Sequence, residues 1–278
     1  MHPIALLFLA ACAGDPPPPE PEAAPTEAPA PAPAPAPVEA PAAPALAAPD
    51  MLATPAGDLT IQPIYHGTVV FELGGKTWIV DPWTKAPLGD RKADVILITD
   101  IHPDHLDPAA IAQVRNEGTV VVAPKAVADE LGDKAKVDMV LGNDETKEVG
   151  GAKVTGVAMY NLTRGPEAGK LFHDKGRGNG YIIELGAGAD AKRIYVAGDT
   201  ECTDEMKALK DIDVAFLPMN LPYTMTPEEA AVCVTAFKPG ILYPYHYGTS
   251  DLASLDAALK DSGTELRKRD WYPGGQPF

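Results

Sequence analysis

From residue 59 onward, alternation and apolar runs divide the chain into short strands and a few helices. Residues 59–65, 69–73 and 77–80 read as strands, and Gly74-Gly75-Lys76 joins the last two as a hairpin. Residues 95–98, VILI, form a continuous apolar run, as in a strand buried on both faces. Asp107-Pro108 supplies a cap and first position for a helix through Val114. Residues 120–123 predict another strand and residues 125–131 a helix. Segments around Val137, Lys147, Val154, Tyr181 and Ile194 alternate or run apolar between Gly and Asn, which predicts a strand-rich middle.

Helices return after Thr200. One is expected over residues 203–209, followed by a buried strand over 214–217. Thr226-Pro-Glu-Glu has the form of a capping box, with Thr226 as cap and Glu229 three positions on, opening a helix to Phe237. A strand over 241–243 runs into Pro244-Tyr245-His246, and a last helix is expected over 250–259. No internal sequence repeat is visible. Helices flanking this much sheet predict an α/β sandwich, although the pattern alone does not set its topology.

Composition separates off the N-terminal part. Fifteen of the 30 prolines precede residue 50, and the first Lys or Arg is Lys76. The Pro/Ala-rich stretch cannot bury a core and favours extended polyproline II. The expected division is a signal segment over 1–12, a disordered linker over 13–57 and a folded domain over 58–278. Residues 4–11 are apolar but far shorter than the ~20 residues of a membrane span. They end in Leu9-Ala10-Ala11-Cys12, which resembles a lipobox; only His2 precedes the run, where a signal peptide carries positive charge. A lipidated Cys12 and a semi-rigid spacer predict a lipoprotein tethered to a membrane of the bacterial cell envelope, periplasmic or surface-exposed. A net charge of -16 without a basic stretch argues against nucleic acid as a partner. Cys202 and Cys233 either pair in an oxidising compartment or stay reduced. The apolar run AAVCVTAF favours a buried free thiol at Cys233.

Three places carry chemistry. The string ITDIHPDHLD follows the buried run at 95–98, so His102, Asp104 and His105 lie on a short loop stiffened by Pro103. Gly198-Asp199-Thr200 follows an apolar strand, and His246 follows another. Each alone has a bland reading as a polar turn, a helix cap or a core histidine. Together they put imidazoles and carboxylates at the ends of several strands, where α/β folds build their sites. The glycine-rich segment from Phe172 to Gly180 adds His173, Lys175 and Arg177. It is either a solvated turn or a place where His173 completes a metal site and the two cations bind an anionic group.

With these residues in view, the chain resembles the metallo-β-lactamase-fold superfamily across residues 59–270. The nearest branch appears in the ascorbate-phosphate lactonase and N-acylphosphatidylethanolamine phospholipase D type enzymes. The matching text is YHGTVVFELGGKTWIVDP, ILITDIHPDHLDP, YVAGDTE and MTPEEAAVCVTAFKPGILYPYHYG. The resemblance implies a four-layer αββα sandwich with one or two divalent metal ions, zinc or manganese, at one edge between two sheets. It assigns Asp104, His105, Asp199 and His246 to one metal site. The family's H-x-H-x-D-H motif has Asp100 in its first position here, and no histidine lies near residues 157–161, where Asn161 is the nearest polar candidate. The other site is therefore altered, with Asp100 or Asn161 joining His102 and Asp199. Asp100 is a harder oxygen ligand, a group orienting a ligating histidine, or the mark of a lost site. His66 is expected near the metals, and Asp81 resembles a buried carboxylate behind a ligand.

These residues imply a metal-dependent hydrolase acting with a metal-activated water on an ester, lactone, amide or phosphodiester, a small molecule that is anionic if Lys175 and Arg177 hold it. Asp104 would ligate metal and orient the nucleophile. The alternative from another class is a membrane-tethered metal-binding scaffold that has lost turnover.

Overall fold

The computed structural model describes residues 45–275. The expected signal segment, Cys12 and the linker up to residue 44 lie outside the described residues. Two seven-stranded sheets follow one another along the chain. The first contains β1 (Asp50–Thr54), β2 (Gly57–Tyr65), β3 (Thr68–Leu73), β4 (Lys76–Val80), β5 (Val95–Leu97), β6 (Val120–Ala123) and β7 (Met139–Val140), in that spatial order. The second contains β8 (Thr146–Val149), β9 (Ala152–Met159), β10 (Gly178–Leu185), β11 (Lys192–Val196), β12 (Val214–Pro218), β13 (Ile241–Tyr245) and β14 (Glu265–Leu266), again with neighbours in chain order. In each sheet the first four strands pair antiparallel and the last four parallel. A duplicated pairing scheme thus exists without a repeat that the sequence displays.

The helices α1 (Pro108–Val114) and α2 (Lys125–Leu131) belong to the first half, and α3 (Asp204–Lys207), α4 (Pro227–Phe237) and α5 (Ala253–Leu259) to the second. Asp107 caps α1 by accepting the Ala109 and Ala110 N–H groups. Thr226 and Glu229 close the reciprocal capping box of α4. Strand period sets the layers. Tyr181, Ile183, Ile194, Phe216 and Tyr243 face the core shared with the first sheet. Their neighbours Ile182, Tyr195, Ala215, Leu217 and Leu242 face the other way, with Met206, Val234, Phe237 and Leu255 of α3, α4 and α5. Ile111, Val114, Val127 and Leu131 bring α1 and α2 into the first core. The result is the expected αββα sandwich. Among the described residues no helix is long and apolar enough to cross a membrane.

The structure corrects three expectations. Ordered sheet begins at Asp50, inside the segment expected to be linker through residue 57. Residues 50–54 pair along β2, and Leu46 packs on the core. The strand expected around Val137 is the two-residue β7 at Met139–Val140. Cys233 is not a free thiol: it forms a disulfide with Cys202, their Cα atoms 5.7 Å apart. The buried face of α4 lies against the turn that carries Cys202, so burial and pairing coincide.

β1 is held by more than its ladder. Asp50 accepts from Arg269 through both oxygens, at 2.7 and 3.0 Å, and from the Tyr243 hydroxyl at 2.8 Å. Burial works against the Asp50 charge, but the Arg269 and Tyr243 bonds outweigh it and hold its carboxyl below the ordinary carboxylate value. A lowered folded-state pKa gives stability that is present above the unfolded value, ~3.9, and lost as pH falls through the folded one. Asp50→Asn is expected to lower unfolding free energy by roughly 1–2 kcal/mol at pH 7. In urea melts the difference from the parent chain should shrink steadily below about pH 4.

Candidate metal centre

Every histidine among the described residues reaches one end of the sandwich. His66 follows β2, His102 and His105 follow β5, His173 lies in the connection before β10, and His246 follows β13. Asp81 ends β4, Asp100 and Asp104 follow β5, and Asp199 follows β11. Most of these positions lie beyond the C-terminal ends of parallel strands, where the chain leaves the sheet and side chains from different strands converge. His66, Asp81 and His246 sit at φ 54°, 45° and 46°, a left-handed conformation uncommon outside glycine. The backbone locks two of them together: His246 N–H donates to the His66 carbonyl and His66 N–H to that of Trp271. Gly67 leaves room beside them, for a Cβ there would lie 3.2 Å from the His246 ring.

Two sets of donor atoms result. In the first, His105 Nε2 lies 3.3 Å from Asp199 Oδ2 and 3.8 Å from Asp104 Oδ2, and His246 Nε2 lies 3.2 Å from Asp104 Oδ2 and 3.6 Å from Asp199 Oδ1. In the second, His102 Nδ1 lies 3.0 Å from Asp100 Oδ2 and 3.1 Å from His173 Nε2. His173 Nε2 is 3.8 Å from Asp100 Oδ2 and 3.4 Å from Asp199 Oδ2, so Asp199 adjoins both sets. A tetrahedral zinc site with arms of about 2.0–2.2 Å has donor–donor edges of about 3.3–3.6 Å. The observed spacings, 3.0–3.8 Å, bracket that range. His105 Nε2 and Asp199 Oδ1 are buried and make no hydrogen bond, as atoms reserved for a cation would be. The residues present fit divalent metal at both places.

The surrounding bonds aim the rings. Asp81, fully buried, takes the Nδ1–H of His105 at 2.8 Å and bonds Thr99 as well, turning Nε2 of His105 inward. Asn161 Oδ1 accepts the Nδ1–H of His173 at 2.7 Å and the His173 backbone N–H at 2.8 Å. The Asn161 amide in turn donates to Glu201 and to the Tyr223 carbonyl. The Tyr272 hydroxyl accepts the Gly248 N–H at 2.7 Å, so its proton goes to His66 Nδ1 at 2.9 Å. That leaves the Nε2–H of His66 for Asp104 Oδ2, 3.1 Å away.

Charge follows the same plan. Burial, reinforced by His246, lowers the His66 pKa to about 4, so this ring is neutral near pH 7. Burial also opposes charge on His105, but Asp199, Asp104 and Asp81 outweigh it and raise its pKa well above the ordinary histidine value. A proton and a metal therefore compete for Nε2 of His105. Burial pushes Asp199 up, yet His246 and His105 hold it well below the carboxylate range. Asp104 is likewise held low, by His105 and His246 against its burial.

A cavity of about 710 Å³ opens onto both sets. Asp104, His102, His173, Asp199 and His246 line its floor, and Trp83, Phe172, Leu221, Pro222 and Tyr223 its walls. Phe172 and Tyr223 meet edge to face, their centroids 4.9 Å apart.

The structure thus brings together Asp100, His102, Asp104, His105, His173, Asp199 and His246, with His66 and Asp81 beside them. Three further candidates, expected to stand behind the ligands or to bind substrate, bond to groups of the protein. Asn161 does not join the donor set; it holds the ring that does. Lys175 is bonded to Glu205 and lies over the Tyr160 ring. Arg177 grips Asp100 through two parallel bonds. Tyr272, Thr99 and Glu201 were not among the residues expected from sequence. Thr99, next to Asp100, and Glu201, two residues after Asp199, lay inside the matching stretches; Tyr272 had no such signal.

The region 60–246 matches the family model described as a β-lactamase superfamily domain. A UPF0173 metal-dependent hydrolase of Geobacillus sp. is 35% identical over 216 residues, 69% of this chain and 88% of that protein. A second, from Aeropyrum pernix, is 33% identical over 198 residues, 66% of this chain and 80% of that protein. A crystal structure from Parabacteroides distasonis, described as a metal-dependent hydrolase, superposes with TM-score 0.73 at 42% identity, covering 81% of this chain and 99% of that one. The chain belongs to the metallo-β-lactamase-fold superfamily of metal-dependent hydrolases. The rival expectation of a scaffold leaned on an altered first site, where the structure places the His173 imidazole 3.1 Å from His102.

Replacing Asn161 with Ala removes the acceptor that aims His173. Loss of such a partner typically costs ~10–100-fold in metal affinity. Titration of the metal-stripped protein should show one of two binding events weakened by that factor and the other unchanged.

Proposed function

We propose that the chain hydrolyses an uncharged acyl compound, an ester, lactone or amide with an apolar body, using zinc or manganese held by the two donor sets. The observation that carries this reading is the cavity: aromatic and aliphatic walls stand over a floor of ligands, while Lys175 and Arg177 are engaged by carboxylates of the protein. A phosphodiester would bring an anion against those walls. The one cation among the lining residues, Lys85, lies 4.8 Å over the Trp83 ring at the cavity wall.

Divalent ions in such a site supply a water acidified toward pKa ~7 and an electrophile for the acyl oxygen. His102, His173, Asp100 and Asp199 would hold one ion, and Asp104, His105, Asp199 and His246 the other. Asp104 faces the cavity as an ionised carboxylate, its Oδ2 steadied by the His66 Nε2–H, and accepts a hydrogen bond from the attacking water. Trp83, Phe172 and Tyr223 bind the apolar body and exclude bulk water from the reacting carbonyl.

With zinc- or manganese-loaded protein, aryl esters and lactones should turn over at least tenfold faster, as kcat/KM, than a bis-aryl phosphodiester of equal size. Chelation should abolish the activity and added metal restore it. His105→Ala should lower it by two orders of magnitude or more. Preference for the phosphodiester would overturn the substrate class, and survival of activity after chelation the mechanism.

We further infer a lipid-anchored protein of the bacterial cell envelope. The lipobox-like run ending at Cys12 and the Pro/Ala spacer support this, and so does the Cys202–Cys233 disulfide, a bond of oxidising compartments. Labelled palmitate should enter the parent protein during growth in a bacterial host and not the Cys12→Ser variant.

A further inference from the structure

Asp100 stands where the family motif places a neutral imidazole. Exchange of imidazole for carboxylate adds a negative charge to a buried site that already contains Asp199 and adjoins Asp104. The structure shows what offsets it. Asp100 is fully buried, and Arg177 approaches it with Nε 3.0 Å from Oδ1 and Nη2 2.9 Å from Oδ2. This is the two-bond fork that arginine makes and lysine does not. Glycine permits the approach. Arg177 immediately precedes Gly178, where a Cβ would come within 2.2 Å of the Met159 methyl and 2.8 Å of the Thr99 carbonyl oxygen. The next residue bonds across the sheets, Asn179 N–H to the Thr99 carbonyl at 2.9 Å. The segment carrying Arg177 is thereby pinned against the end of β5, one residue before Asp100.

We propose that Asp100 and Arg177 act as one neutral ligand unit that replaces an imidazole in the first metal site. Asp100 Oδ2 joins His102 Nδ1 and His173 Nε2 as a donor, while Arg177 cancels the added charge and holds Oδ1 away from the metal. The proposal rests on the metal-centre reading above. With the unit intact, the His102–His173 site has the same net charge as one built from three imidazoles. It offers one more oxygen, which suits manganese better than an all-imidazole set does. Arg177 is a positioning residue here: it touches the carboxylate and not the substrate.

Titration calorimetry of the full chain, stripped of metal and given Mn²⁺ or Zn²⁺ alone, tests this. The parent protein should bind two equivalents. Asp100→Asn, nearly the same shape, removes the anionic donor and leaves Arg177 unpaired, so the second equivalent should weaken at least tenfold. Asp100→His should weaken it as much, because Arg177 then adds an uncompensated positive charge. The double change Asp100→His with Arg177→Met should restore two equivalents within about threefold, with preference moved from Mn²⁺ toward Zn²⁺. Thermal melting of each variant separates misfolding from lost binding, and recovery in the double variant cannot come from a damaged fold. Two equivalents of native affinity in Asp100→Asn would overturn the ligand role. Native affinity in Asp100→His, or no recovery in the double variant, would overturn the charge compensation. His105→Ala reports on the other site: if it alone removes an equivalent while the Asp100 variants remove none, this proposal fails and the hydrolase reading stands.

Discussion

A dense set of imidazoles and carboxylates is kept out of water at one end of this molecule, and the surrounding structure is arranged to make that tolerable. Buried polar atoms are costly unless each has a partner. Here the atoms facing outward from the centre have protein partners: Nδ1 of His105 has Asp81, Nδ1 of His173 has Asn161, and Nδ1 of His66 has Tyr272. The atoms facing inward have one another, at distances suited to a shared cation. These three rings are thus fixed as to which nitrogen carries the proton, and that choice helps turn a cluster of polar residues into a coordination site.

The sandwich makes this economical. Both sheets change from antiparallel to parallel pairing midway, so each sends parallel strands toward the same rim. The first contributes Asp81, Asp100 and the His102–His105 loop, and the second contributes Asp199 and His246. The two halves are stitched there by main-chain bonds, His246 to His66 and Asn179 to Thr99. The long connection between β9 and β10 then closes over the rim, bringing His173 and Arg177.

Much of this was legible in the residues. The caps at Asp107 and Thr226 and the strand ends before Asp100, Asp199 and His246 follow from local pattern, because caps and strand periods are short-range physics; the layer order came from the family resemblance. What escaped was long-range. His173 was a candidate, but its ring sits in irregular backbone where no periodicity aims it, and Asn161, twelve residues earlier, gives it direction. Lys175 and Arg177 read as anion ligands because their carboxylate partners, Glu205 and Asp100, are 30 and 77 residues away. β1 was hidden by proline-rich surroundings, and the edge strand is secured by Arg269, 219 residues off. Cys233 looked like core because it is core; the approach of Cys202 depends on how α4 seats.

His66, Asp81 and His246 share a consequence of their backbone. Each non-glycine residue in the left-handed region stores conformational energy, roughly 1–3 kcal/mol. At these positions glycine would relax the chain but erase the side chain that meets a neighbour in the site. The site is therefore a place where thermostability and chemistry are in opposition. Selection for backbone relaxation alone would favour glycine or asparagine at His66 and His246 at the expense of the site; at Asp81 glycine would also leave the His105 Nδ1–H and the Thr99 N–H without an acceptor. Retention of histidine and aspartate against that gradient would mark a chain still under selection for catalysis.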